Sequence, residues 1–125
     1  MGLLSGLMGN AGVVSNEKLT KEYDKLFTDD ENIDAGFKLI RDVFIFTNKR
    51  LILLDKQVIT GRKIEYKSLL YRTISNYSLE TAGHFDLDAE LKIWISSEST
   101  PSISKKFNKS VNVYDVQRIL AAYTT

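Results

Sequence analysis

Two short apolar runs, Val43-Phe44-Ile45-Phe46 and Leu51-Ile52-Leu53-Leu54, stand on either side of Asn48-Lys49. A strand sends successive side chains to opposite faces, so a run that is apolar at every position has to be covered from two sides. Parallel strands need a crossover of about a dozen residues or more, and the connection here is a tight turn, which leaves an antiparallel hairpin.

Further short strands follow. Gly36 to Thr47 is β-rich as a whole, and Arg50 to Asp55 forms the second arm of the hairpin. Lys63-Ile64-Glu65-Tyr66-Lys67 alternates, which predicts polar residues outward and Ile64 and Tyr66 inward. Thr73 to Thr81 reads as a weaker strand. The clearest alternation is Ala89, Leu91, Ile93 and Ile95 on one face with Glu90, Lys92, Trp94 and Ser96 on the other, and a last strand runs from Pro101 through Ile103 to Phe107.

Helical spacing occurs at both ends of this β region. Leu19, Tyr23 and Leu26 recur as one turn follows another, Ser15 or Asn16 is placed to cap, and the helix should end near Phe27 before the acidic Thr28–Asn32 stretch. At the other end Asn112 can cap a helix lined by Val113, Val116, Ile119, Leu120 and Tyr123, with Val111 and Val116 spaced as a hydrophobic staple. Six or seven hairpin-linked strands without crossover helices cannot make a doubly wound parallel sheet. The fold class is therefore mainly β (α+β), a bent antiparallel sheet or barrel closed by the last helix.

The chain has 125 residues, 43% hydrophobic and 26% charged, which suits one domain with one core. We read residues 15–125 as that domain and 1–14 as an apolar segment that either contacts another subunit or frays. That segment has no basic n-region for a secretory signal, is too short to span a bilayer, and has Gly6 where myristoylation wants Ser or Thr. The absence of cysteine removes disulfides, thiolate metal sites and cysteine nucleophiles, and fits a reducing cytoplasm. A net charge of +1 argues against a dedicated nucleic-acid binder. Charge is unevenly spread: residues 1–35 hold seven acids and three bases, and residues 36–72 hold three acids and nine bases.

The string FIFTNKRLILLDKQ from Phe44 to Gln57 resembles the bacterial pleckstrin-homology-like family. So do Thr60-Gly61-Arg62-Lys63, Tyr66-Lys67-Ser68, Tyr71-Arg72, Ala82-Gly83 and Asp86 to Leu91. The likeness spans roughly Gly36 to Tyr123. It implies a PH-like, partly open antiparallel β-barrel capped by a C-terminal helix, with no common catalytic activity, and self-association into homo-oligomers that include ring-like assemblies.

No constellation for catalysis is present, and neither a cofactor nor a metal is expected. His84 follows a turn and has only strand-spaced carboxylates near it in sequence. Asp30, Asn32 and Asp34 open like a calcium loop, but Ala35 and Arg41 stand where that loop needs Gly and Glu. Two binding ideas remain. One is an assembly module acting through homo-oligomerisation and protein contacts, with Leu3, Leu7, Leu19, Tyr23 and Trp94 as candidate interface residues. Trp94 lies on the polar side of its strand, where it marks either a contact surface or a sheet face covered by the N-terminal helix. The other is a peripheral-membrane or anionic-ligand binder using Lys49, Arg50, Arg62 and Lys63, against which the simpler reading is solvated strand charges that protect edges.

Overall fold

The computed structural model describes residues 13–39, 42–56, 63–81, 88–108 and 111–125. In chain order these form β1 (Val13–Val14), α1 (Asn16–Glu22), a 3-10 turn (Asp24–Leu26), β2 (Ile33–Lys38), β3 (Val43–Thr47) and β4 (Arg50–Lys56). There follow β5 (Ile64–Leu70), a second 3-10 turn (Tyr71–Thr73), β6 (Ile74–Thr81), β7 (Asp88–Ile95), β8 (Ile103–Asn108) and α2 (Val113–Thr124). All pairings are antiparallel: β1-β2-β3-β4-β5 make one sheet and β6-β7-β8 the other.

The two-sided burial expected of the central hairpin is what organises the molecule. Phe44, Phe46, Leu51 and Leu53 point into the space between the sheets, where they meet Leu91, Ile93, Ile103 and Phe107. Val43, Ile45, Ile52 and Leu54 point the other way and are covered by Leu19 of α1, with Tyr23, Leu26 and Phe27 alongside. Edge-on ring contacts knit the inner core, Phe37 with Phe46 at 6.0 Å and Phe44 with Phe107 at 5.3 Å.

Both helices begin where side chains can satisfy their first amides. Ser15 Oγ accepts from the Lys18 amide, and Asn112 Oδ1 accepts from the Tyr114 amide. α2 then buries Val113, Val116, Ile119 and Leu120 against the inner core, and its Tyr123 ring stacks on Tyr71 at 4.5 Å. The C-terminal helix thus closes the space between the sheets.

Three sequence expectations are corrected. Gly36 to Thr47 is two strands, because the chain reverses between Leu39 and Asp42, where the Leu39 amide donates to the Asp42 carbonyl at 2.8 Å. The N-terminal helix ends at Glu22, four residues before Leu26, and gives way to the 3-10 turn. Ile64 and Tyr66 do not face inward: they are 41% and 48% exposed, and it is Leu69 that is buried. The alternation does mark a strand, but β5 is a sheet edge whose even-numbered positions share the face of Ile52 and Leu54, beyond the reach of α1.

α1 can approach β2 because Gly36 has no side chain; a Cβ there would overlap the Cδ1 of Leu19. Gly36→Ala should therefore cost about 1–3 kcal/mol of stability in a urea titration, the range for overpacking a filled core. In a Leu19→Ala background the same change should cost nothing measurable, since the overlapping atom is gone.

Candidate functional site

Arg50, at the start of β4, is a junction between four segments. Its Nε donates to Glu31 Oε2 at 2.9 Å and its Nη2 to Glu31 Oε1 at 3.0 Å, a bidentate pair in which the Glu31 side chain is fully buried. Nη2 also donates to the Leu26 carbonyl at 2.8 Å, and Nη1 to Ser68 Oγ on β5 at 3.0 Å. Thr47 Oγ1 donates to Glu31 Oε2 at 2.7 Å, and the Tyr71 hydroxyl lies 2.7 Å from the Thr47 carbonyl and 2.9 Å from that of Arg50. Burial alone pushes the Glu31 carboxyl up. The hydrogen bonds from Arg50, Thr47 and the Thr28 amide, with the Arg50 charge, outweigh it and hold the group below its ordinary value.

This network engages two of the four candidate anion-site residues. Arg50 is committed to Glu31, and Lys49 Nζ lies 3.0 Å from Asp30 Oδ2. Lys63 flanks the start of β5, whose first residue Ile64 pairs with Lys56 at the far end of β4 from Arg50. At about 3.3 Å per residue, that strand holds Lys63 and Arg50 some 20 Å apart. Arg62 lies outside the described residues. A run of cations that is dense in sequence is thus divided between the two ends of a sheet.

The candidate interface residues also separate. Leu3 and Leu7 lie outside the described residues. Leu19 is only 2% exposed and is spent inside the chain, beneath α1. Trp94 sits half-buried on β7, paired across the sheet with Asn76. α1 packs on the first sheet, so it does not cover the face that carries Trp94. Tyr23 remains half-buried at the end of α1, where it lines a groove.

That groove, of about 450 Å³, is bounded by Glu22, Tyr23, Asp24, Lys25, Leu26 and, from β5, Tyr66. The Tyr23 hydroxyl is pushed up to about 12, first by burial and then by its hydrogen bond to the Glu22 carboxylate, whose charge adds to the shift together with Tyr66. Beside the groove, β5 is bonded among the described residues on one side only, to β4, and shows Ile64, Tyr66 and Leu70 to solvent on one face. An exposed strand edge with an apolar row is a template for pairing with another chain. Sequence reasoning missed Ile64, Tyr66 and Leu70 as surface groups; the signal was present as alternation, but nothing local tells which of two faces lacks a cover. Among the described residues no three His, Cys, Asp or Glu side chains gather as a metal site, and no helix is long and apolar enough to cross a membrane.

The family model for the bacterial PH domain matches residues 2–124. The chain belongs to the bacterial PH-domain family. This PH domain is 51% identical over 122 residues to the uncharacterised protein YjqA of Bacillus subtilis, covering 98% of each chain. It is similar to the solved pleckstrin-homology domain from Shewanella amazonensis, with 44% identity, a TM-score of 0.81 and 99% of each chain covered. A PH-domain-containing protein from Exiguobacterium sibiricum matches with 28% identity and a TM-score of 0.65, over 90% of this chain and 61% of that one. The PH-like fold implied by the FIFTNKRLILLDKQ string is therefore the fold of this chain.

Breaking the buried pair from one side should be costly. Arg50→Met leaves Glu31 charged and unpaired, and about 3 kcal/mol of stability should be lost at neutral pH. Because the Glu31 carboxyl is depressed in the folded state, its contribution is complete above its ordinary value of 4.5 and fades as pH falls through the lower folded value. Urea midpoints measured on the acid side should fall more steeply for the wild-type protein than for Glu31→Gln.

Proposed function

We propose that this PH domain is a non-enzymatic assembly module that works through homo-oligomerisation and protein contacts, with the edge of β5 as a principal contact. The observation that carries this reading is the seven-residue strand β5, which among the described residues is hydrogen-bonded on one side only, with Ile64, Tyr66 and Leu70 exposed along it. A second copy pairing there would satisfy the free backbone groups and cover the apolar row in one step. The PH fold supports a binding role more than a catalytic one, and the residues beside β5 form no nucleophile–base pair. The charge-based alternative has less behind it, since Lys49 and Arg50 are each matched by a carboxylate.

Size-exclusion chromatography with light scattering tests the reading. The wild-type chain should elute as a multimer, and Tyr66→Asp or Ile64→Lys should lower the mass toward that of one chain. Because both side chains are largely exposed, the thermal midpoint of the dissociated species should change little. A strictly monomeric wild-type chain at high concentration overturns the proposal.

A further inference from the structure

The groove between the end of α1 and β5 shares Tyr66 with the edge-pairing surface, but the rest of its composition is not used by that reading. Its apolar floor is Leu26 and two tyrosine rings, Tyr23 and Tyr66, that arrive from different elements. Its lip carries the carboxylates Glu22 and Asp24, with Lys25 as the one opposing charge among the lining residues. Aromatic faces attract cations through the ring quadrupole, and carboxylates at the rim add a direct charge attraction.

The wider surface has the same sign. Between Asn16 and Asp34 the chain has seven carboxylates and three lysines. Asp30 and Glu31 are matched by Lys49 and Arg50, which leaves five carboxylates against Lys18, Lys21 and Lys25. Arg50 also fixes the groove's shape: one guanidinium holds the Leu26 carbonyl on one wall and Ser68 of β5 on the other, so the walls are set before any partner arrives.

We infer that this groove receives an arginine or lysine side chain from an extended segment of another protein, held between Tyr23 and Tyr66 with Glu22 and Asp24 as counter-charges. The groove opens on the outer face of the sheet and the hydrogen-bonding edge of β5 lies to its side; because Tyr66 and the apolar row serve both, a copy paired at β5 competes with the segment for this face. An extended segment suits the place, because its neighbouring residues can run past Ile64 and Leu70 with alternate side chains toward that apolar row.

The test uses the full chain and a short synthetic peptide of alternating Thr and Val with one central Arg, followed by NMR at the ring protons of Tyr23 and Tyr66. The same peptide with norleucine in place of Arg should bind roughly three- to tenfold more weakly, the scale of an exposed cation–π contact with its ion pair. Tyr66→Phe should keep the preference for Arg and Tyr66→Leu should lose it, which separates the ring's electrostatics from mere apolar contact. Glu22→Gln combined with Asp24→Asn should weaken binding and its salt dependence together, and Lys25→Ala should tighten it. Equal binding of the Arg and norleucine peptides overturns the inference, and so does the lack of any ring-proton shift with the Arg peptide at millimolar concentration. Light scattering on the same samples keeps the outcomes apart: Arg discrimination by a monomeric chain strikes only the assembly reading, and an oligomer without discrimination strikes only this one.

Discussion

The structure depends on the burial of β3 and β4 on both faces. Phe44, Phe46, Leu51 and Leu53 need a cover on one side, and Val43, Ile45, Ile52 and Leu54 need a different cover on the other. The second sheet and α2 supply the first, and α1 supplies the second. Removing either cover would expose a row of large apolar side chains, each contributing about 1.5–3 kcal/mol when buried. α1 is short and has one fully buried residue, Leu19, so its docking relies on close approach over Gly36 and not on the area it covers.

Polar interactions then connect what the apolar cores position. Arg50 and Glu31 tie the acidic loop after α1 to the β3–β4 turn and, through Ser68, to the sheet edge. Lys105 of β8 reaches Asp42 at 3.0 Å and Asp55 at 3.7 Å, a clip between the two sheets where no strand pairing joins them among the described residues. Lys67 Nζ lies 3.5 Å from the Ser102 carbonyl across the same seam. Of the nine bases between residues 36 and 72, Lys49, Arg50 and Lys67 are thus engaged within the fold.

Element type was legible wherever local chemistry decides it. Continuous apolar runs identified doubly covered strands, and Asn112 and the pair Ser15 and Asn16, of which Ser15 is the cap, marked the helix starts, because capping and pleat periodicity depend on a few neighbouring residues. What could not be read were statements about the opposite side of a sheet. The period of Ile64 and Tyr66 is that of a buried strand face, and only the length of α1 and the position of β5 at an edge leave that face open. Trp94 posed the same question. Its face would have been covered had α1 crossed to the second sheet, but Leu19 pairs with Gly36 of the first. The cation run shows a related effect: closeness in sequence becomes separation in space when a strand intervenes, as between Arg50 and Lys63, and the partners Asp30 and Glu31 come from a different part of the chain.

Among the described residues the sheet edges differ in how much regular, apolar strand they expose. At the other end of the first sheet, β1 is two residues long and offers little to pair with. In the second sheet, β6 is irregular between Ile74 and Asn76 and presents Ser75, Asn76, Ser78, Glu80 and Thr81 to solvent. β8 presents Ser104 and Lys106 there, with Lys105 drawn into the seam. Short length, bulges and polar or charged side chains are the usual means by which edges are kept from pairing. β5 is neither short nor bulged, and Ser68 is the one polar residue on its outer face: its register with β4 is unbroken from Arg50↔Leu70 to Lys56↔Ile64, and Lys67 is turned toward Ser102. Among the described residues β5 is thus a regular edge that retains an exposed apolar row, while the other edges are short or polar.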